Sequence, residues 1–240
     1  MNDILVSEKM KERIVVFAPH PDDEVLGCGG TIVKRIKEGY DVYIVFMTDG
    51  GSSHSKCPTE LKAVRQQEAK DAARILGVDQ KNLFFLNAQV GDLGKRKNET
   101  MKKICSILTQ LAPVQVYYPD VTDVRRDHRA TNNIVESSIR RLSYRPITYE
   151  YVIWDVFDKL KRVSLPLRIW LYIRTKPCKS HRLMRVDISQ FLLLKRKALE
   201  QYKSQTNAHV HARLYGSEDY PALPESFWKK FLKGYEEFYV

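Results

Sequence analysis

The sequence predicts an α/β fold: a doubly wound, mostly parallel sheet with a C-terminal elaboration. Short apolar runs alternate with helical periodicities between residues 14 and 154, the pattern of strands joined by crossover helices. The first run, Ile14-Val15-Val16-Phe17-Ala18, is apolar throughout, as a central parallel strand buried on both faces should be. A chain of 240 residues is also long enough for one sizeable domain of this kind.

The elements follow in order. After the first strand, Val25, Ile32, Val33 and Ile36 recur at helical spacing, and Gly39 stops a helix over residues 25–38. Residues 42–47 form the second strand, which runs into the turn-forming Thr48-Asp49-Gly50-Gly51. A helix over 59–76 ends at Gly77; a strand at 83–86, a helix over 101–111 and a strand at 114–118 come next. The loop that follows carries Asp120, Asp123, Asp127 and His128, then a helix runs to about residue 142 and a fifth strand spans 147–154. Beyond that the chain turns basic. A further strand at 184–188, a helix over 189–205 capped by Ser189 and an aromatic-rich helix after Pro224 are expected there. These are additions to one domain spanning residues 1–240, with its core at about 13–155 and its basic elaboration at about 156–240.

Hydrophobic content of 43% with 29% charged residues is ordinary globular composition. The net charge of +11 favours an anionic partner. Cys28, Cys57, Cys105 and Cys178 show no Cys-x-x-Cys spacing, so neither a disulfide framework nor a structural zinc knot is expected. The first residues lack the apolar core of a signal peptide, and no window approaches the roughly 20 apolar residues that span a bilayer. A cytoplasmic protein, soluble or membrane-peripheral, is the expectation.

The chemistry concentrates in His20-Pro21-Asp22-Asp23-Glu24, where the first strand gives way to a helix. Ligands bind at that edge of open α/β sheets. So much acid beside a buried strand calls for a partner, and a divalent cation is the simplest. His20 and Asp23 lie three residues apart in one turn, within reach of one metal. His128, in the loop after the fourth strand on the same edge, is the best third ligand. Two histidines and a carboxylate leave a position open for water, as in catalytic zinc sites. Asp22 is then free to act as general base. Glu24 favours the helix N-terminus and is expected to help orient His20.

Ala18-Pro19-His20-Pro21-Asp22-Asp23-Glu24 with Gly27-Cys28-Gly29-Gly30 resembles the signature of the LmbE/PIG-L-type zinc-dependent N-deacetylases. Thr48-Asp49-Gly50, Arg65-x-x-Glu68-Ala69, Leu76-Gly77-Val78, Asp127-His128-Arg129-Ala130 and Lys195-x-x-Ala198-Leu199-x-x-Tyr202-x-Ser204-Gln205 agree in order, so the resemblance covers about residues 13–206. It implies a Rossmann-like three-layer sandwich that removes acetyl groups from N-acetylated amino sugars and their conjugates. It implies one Zn2+ per chain on His20, Asp23 and His128, Asp22 as base, and Arg65 as a substrate-binding residue. Many members of the family carry a histidine where this chain has Arg125. Arginine stabilises an oxyanion but is a poor proton donor. Asp22 is then left to return the proton to the leaving amine.

Asp49 lies on the ligand edge, as a contact to substrate or as a plain Asp-Gly turn; Asp127 orients a ligand or caps a helix. His54, His209 and His211 are expected at the surface. Gly27-Cys28-Gly29-Gly30 lacks the Gly-x-Gly-x-x-Gly spacing of a dinucleotide site, and close helix–sheet packing explains it better. The basic stretch from Lys159 to Arg185 is a solvated face or a docking surface for anionic membrane, which suits a phosphorylated or lipid-linked sugar. Two other function classes compete. A non-haem Fe(II) enzyme uses the same ligand types but needs an all-β barrel. A basic nucleic-acid-binding protein without activity leaves the acidic turn unexplained, so nucleic acid is not an expected partner. A homo-oligomer is compatible with all three.

Overall fold

In the computed structural model, which describes residues 11–51, 55, 57–154, 182–215 and 222–240, the apolar runs become a single seven-stranded sheet. Its first five strands are β1 (Arg13–Ala18), β2 (Asp41–Thr48), β3 (Leu83–Ala88), β4 (Gln115–Pro119) and β5 (Ile147–Tyr151). They pair in parallel in the order β3-β2-β1-β4-β5. Two more strands, β6 (Leu183–Asp187) and β7 (Tyr235–Tyr239), extend the β5 edge antiparallel, with β7 between β5 and β6. The crossover helices are α1 (Asp23–Lys37), α2 (Pro58–Leu76), α3 (Lys97–Leu111) and α4 (Arg126–Ile139).

Alternation along β1 sorts the core into two layers. Ile14, Val16 and Ala18 join one buried cluster with Val25, Ile32 and Ala72 of α1 and α2. Val15 and Phe17 join the other, with Ile104 and Leu108 of α3 and Ile134 of α4. The strand is therefore covered on both faces, as its unbroken apolarity required. Strand order reverses at β1, since β2 lies on one side and β4 on the other. The crevice beyond the carboxyl ends of β1 and β4 is the switch point at which open α/β sheets place ligands. The sheet is open, so among the described residues there is no barrel of the kind the Fe(II) alternative needs.

Several boundaries differ from the sequence expectation. β5 stops at Tyr151, because Asp123 takes the amides of Ile153 and Trp154 (3.2 and 3.0 Å) away from the ladder. α4 begins at Arg126, so His128 lies in its first turn and not in the preceding loop. The helix expected over 189–205 breaks into a 3-10 turn at Ser189–Phe191, α5 (Leu192–Leu199) and a short turn at Lys203–Thr206. Ser189 caps nothing there; its hydroxyl donates to the Gly234 carbonyl at 3.1 Å. β7 follows the aromatic-rich helix Glu225–Lys229 and was not anticipated. Its apolar alternation is interrupted by Glu236, which is buried because it pairs with Lys195 of α5 at 2.6 Å. His209 is exposed as expected, but His211 is buried, stacked on Tyr215 with ring centroids 4.0 Å apart. Most of the basic stretch, residues 159–181, lies outside the described residues, as does His54.

The glycines of α1 mark close approaches. A Cβ on Gly27 would lie 2.6 Å from the Tyr151 ring, and one on Gly30 would lie 2.4 to 2.8 Å from three carbons of Ile188. Packing thus accounts for the glycine-rich run. Gly30→Ala should destabilise the fold by about 1–2 kcal/mol, overpacking of roughly 1–3 kcal/mol set against a helix-propensity gain of about 1. Thermal unfolding would register this as a Tm lower by roughly 2–8 °C.

Candidate metal centre and active site

The turn after β1 puts three consecutive carboxylates in different directions. Asp22 adopts φ 125° and ψ −29°, a left-handed backbone that costs a non-glycine residue on the order of 1–3 kcal/mol. The kink starts α1 at Asp23. There the amides of Val25 and Leu26 bond back to the Asp22 carbonyl (3.1 and 3.0 Å).

Asp23 faces the crevice between the two histidines. Its Oδ2 lies 3.1 Å from Nδ1 of His20 and 3.2 Å from Nε2 of His128. The three donor atoms lie within 4.8 Å of one another. Each imidazole is held from its far side. His20 Nε2 meets Asp127 Oδ2 at 3.2 Å, and Asp127 also accepts the Gly91 amide at 2.8 Å. His128 Nδ1 meets Asp123 Oδ2 at 2.9 Å. These carboxylates fix the tautomers, leaving His20 Nδ1 and His128 Nε2 as lone-pair donors towards Asp23.

A divalent cation fits this group. His128 is fully buried, yet its Nε2 has no hydrogen-bond partner among the described residues; its approach to Asp23 lacks hydrogen-bond geometry. An orphaned nitrogen beside a carboxylate, at separations normal for two atoms on one small ion, is a ligand waiting for a cation. The electrostatics agree. Burial alone would depress the His128 imidazolium, but Asp23 and Asp123 override it and raise its pKa to about 10. Burial likewise opposes ionisation of Asp23, yet the two imidazoles hold its carboxyl well below the usual carboxylate range. The group demands positive charge, which either a proton or a metal ion supplies.

Asp22, beside this group, pairs with Arg65 of α2. Arg65 Nη2 donates to Asp22 Oδ2 at 3.0 Å and to the Pro21 carbonyl, while Nη1 reaches the Gly50 carbonyl at 3.2 Å. Burial pushes Asp22 up to about 6; Arg65 opposes the rise and Asp23 adds to it. A carboxylate so placed is a stronger base than an ordinary aspartate. Arg65, expected against substrate, is itself buried and spends these donors on the turn that carries Asp22.

The remaining expected residues divide. Asp127 meets the imidazole of His20, not that of its neighbour His128. Glu24 does not touch His20: its Oε2 accepts the Asp22 amide at 3.0 Å and its Oε1 accepts the Tyr202 hydroxyl. At the first turn of a buried helix its side chain folds inward, and burial pushes its pKa up to about 8. Asp49 accepts the Gly51 amide of its own turn (3.0 Å), as an Asp-Gly turn would, with Lys62 at 4.0 Å. Arg125 is exposed at the rim, its guanidinium 4.1 Å from the centre of the Trp154 ring. Trp154 in turn stacks on Phe227 at 4.2 Å. The contacts of Asp123 with His128 and of Tyr202 with Glu24 were not anticipated. Asp123 carried one legible signal, an aspartate in the exit loop five positions before a ligand histidine.

Fold and site together define an α/β protein with a His-Asp-His group that could hold a cation at the switch point of its sheet. The family model described as PIG-L, GlcNAc-PI de-N-acetylase, matches residues 15–139, just over half of the chain, and the chain belongs to that family. It is 32% identical over 123 residues to the diacetylchitobiose deacetylase of Thermococcus kodakarensis, a match covering 49% of this chain and 45% of that one. The chain thus spans less than half the length of that relative. Among solved structures, the N,N′-diacetylchitobiose deacetylase of Pyrococcus horikoshii superposes with a TM-score of 0.61 at 26% identity, over 92% of this chain and 75% of that one. The 4-carboxy-2-hydroxymuconate hydratase GalB of Pseudomonas putida KT2440 has the same fold (TM-score 0.61, 17% identity, 92% and 82% covered), so the fold alone does not select a reaction. No described helix is long and apolar enough to cross a membrane.

If the group holds a divalent cation, Asp123→Asn should weaken its binding by on the order of 10- to 100-fold, the usual effect of removing the partner that orients a ligand histidine. Competition against a chromophoric chelator measures it, and an unchanged affinity would remove Asp123 from the centre.

Proposed function

We propose that the chain is a zinc-dependent N-deacetylase, hydrolysing the acetamide of an N-acetylated amino sugar or its conjugate to acetate and a free amine. The observation that carries this reading is the orphaned Nε2 of His128, set against Asp23 and His20 with the Arg65-held carboxylate of Asp22 on the adjacent residue. A Zn2+ ion held by His20, Asp23 and His128 would act as a Lewis acid towards the acetamide oxygen and lower the pKa of a water from 15.7 towards about 7.

The chain's own residues do the rest. Asp22 accepts the proton of the attacking water as its oxygen bonds to the acyl carbon. The C–N bond then breaks, and Asp22 returns that proton to the departing nitrogen. No histidine stands at position 125 to do so, and an arginine keeps its proton. Arg65 keeps Asp22 aimed between these two transfers. Asp123 and Asp127 hold the imidazoles in their ligating tautomers.

Arg125 takes a different part from the oxyanion role its position suggests. With its flat face on Trp154, it leaves the guanidinium edge for a planar, bidentate anion. We assign it to a phosphate or carboxylate on the conjugated part of the substrate, which the net charge of +11 also favours.

The test is an amine-release screen over free, nucleotide-linked and lipid-linked N-acetylhexosamines, with bound metal measured alongside. Asp22→Asn should keep its metal and lose turnover by at least about 10²-fold, the scale of a lost general base; substantial residual activity would remove Asp22 from that role. In a second experiment, Arg125→Gln should reduce the preference for an anionic over a neutral conjugate, read as a kcat/KM ratio, by roughly tenfold or more. That is the worth of one charged hydrogen bond, about 1.5–3 kcal/mol.

A further inference from the structure

We infer that Tyr202 is a positioning residue for Asp22, acting through Glu24 across 178 residues of sequence. The inference rests on the reading of Asp22 as the base. Tyr202 sits where the helix after Ser189 breaks, between α5 and the turn Lys203–Thr206, and its ring is fully buried. Its hydroxyl donates to Glu24 Oε1. Glu24 is equally buried, and its Oε2 accepts the backbone N–H of Asp22 at 3.0 Å. That amide belongs to the one residue of the turn with a left-handed backbone, φ 125°. The chain of contacts therefore runs from a phenol in the C-terminal elaboration, through one carboxylate, to the peptide that joins Pro21 to the strained Asp22.

Strained conformers persist only where their surroundings over-determine them. At Asp22 two constraints meet: Arg65 holds the carboxylate, and Glu24 holds the amide. The Asp22 amide fixes one oxygen of Glu24. The Glu24 side chain is flexible, and the hydroxyl of Tyr202 is what fixes the second oxygen. Removing the hydroxyl frees Glu24 to turn and lets the Asp22 peptide relax towards an ordinary helical entry. The carboxylate would then drift from its line between water and leaving amine. Misplacement by about 1 Å costs on the order of 10²-fold in rate. None of these groups contacts the donor atoms of His20, Asp23 or His128, so the metal centre should survive the change.

Tyr202→Phe deletes one oxygen and nothing else. The expected result is a kcat lower by roughly 10- to 100-fold, KM within about twofold and metal per chain equal to wild type, a pattern that marks loss of transition-state alignment. Glu24→Gln, which keeps size and shape, should lose turnover in the same direction, and the double variant should lose no more than the worse single one, as coupled sites do. A readout independent of turnover is the Asp22 amide. Its 1H–15N resonance should shift and its hydrogen exchange accelerate in Tyr202→Phe. A variant with lower Tm but wild-type kcat and an unmoved Asp22 amide would overturn the inference, because Tyr202 would then serve stability alone. Additive losses in the double variant would overturn it as well. If wild type releases no amine from any N-acetylhexosamine, the deacetylase reading fails, and the amide measurement still decides whether Tyr202 positions Asp22.

Discussion

Three adjacent carboxylates, Asp22, Asp23 and Glu24, are each no more than 6% exposed, and the rest of the structure is arranged to make that tolerable. An unpaired buried carboxylate costs several kcal/mol or gives up its charge. The fold supplies a different partner to each. Asp23 receives two imidazoles, from β1's own turn and from α4. Asp22 receives a guanidinium from α2. Glu24 receives a backbone amide and a phenol from the C-terminal elaboration. Because the partners lie in different directions, the backbone between them has to turn sharply, and the left-handed Asp22 is the consequence. Division of labour in the site is thus the same fact as neutralisation of its acids.

That division was only partly legible in the sequence. His20 and Asp23 stand three residues apart at a strand–helix switch, and local geometry alone brings them together. His128 was found because the end of β4 must lie beside the end of β1 in such a sheet. What escaped depends on contacts no local pattern encodes. Arg65 was expected against substrate because the family resemblance implied it, and an arginine in mid-helix gives no hint that it will turn inward onto a strained turn. Glu24 was paired with the wrong neighbour because its real one lies 178 residues on. Arg125 was placed at the reaction by position; the aromatic stack of Trp154 and Phe227 that draws it to the rim is assembled from two distant segments.

Asp123 shows how tightly metal centre and rim are joined. Its Oδ2 holds the His128 imidazole and the amides of Ile153 and Trp154, while its Oδ1 takes the Arg125 amide at 3.0 Å. One fully buried carboxylate thereby fixes a ligand, ends β5 and sets Arg125 opposite Trp154. Loop positions on a rigid scaffold usually diverge freely. Here the rim cannot move without disturbing the His128 imidazole, because Asp123 binds both.

The same logic explains why the fold keeps an ion pair in its core. Apolar replacement of a buried salt bridge is often neutral or stabilising, so the Lys195–Glu236 pair is weak evidence for stability in itself. Its use lies in what else the two groups bind. Lys195 Nζ donates to the Leu26 carbonyl at 3.0 Å, and Glu236 accepts the amides of Gly30 and Thr31 at 2.9 and 2.8 Å. All three belong to α1, the helix whose first turn carries Asp23 and Glu24. The bare backbone at Gly29 and Gly30 is what permits the approach: a Cβ on Gly29 would meet the Lys195 stem at 3.1 Å, and one on Gly30 would collide with Ile188. An apolar pair of equal volume would fill the space but grip no backbone, and α1 would keep its burial while losing its register. The C-terminal elaboration therefore holds α1 by polar contacts at two heights, Lys195 and Glu236 in the middle and Tyr202 at the first turn.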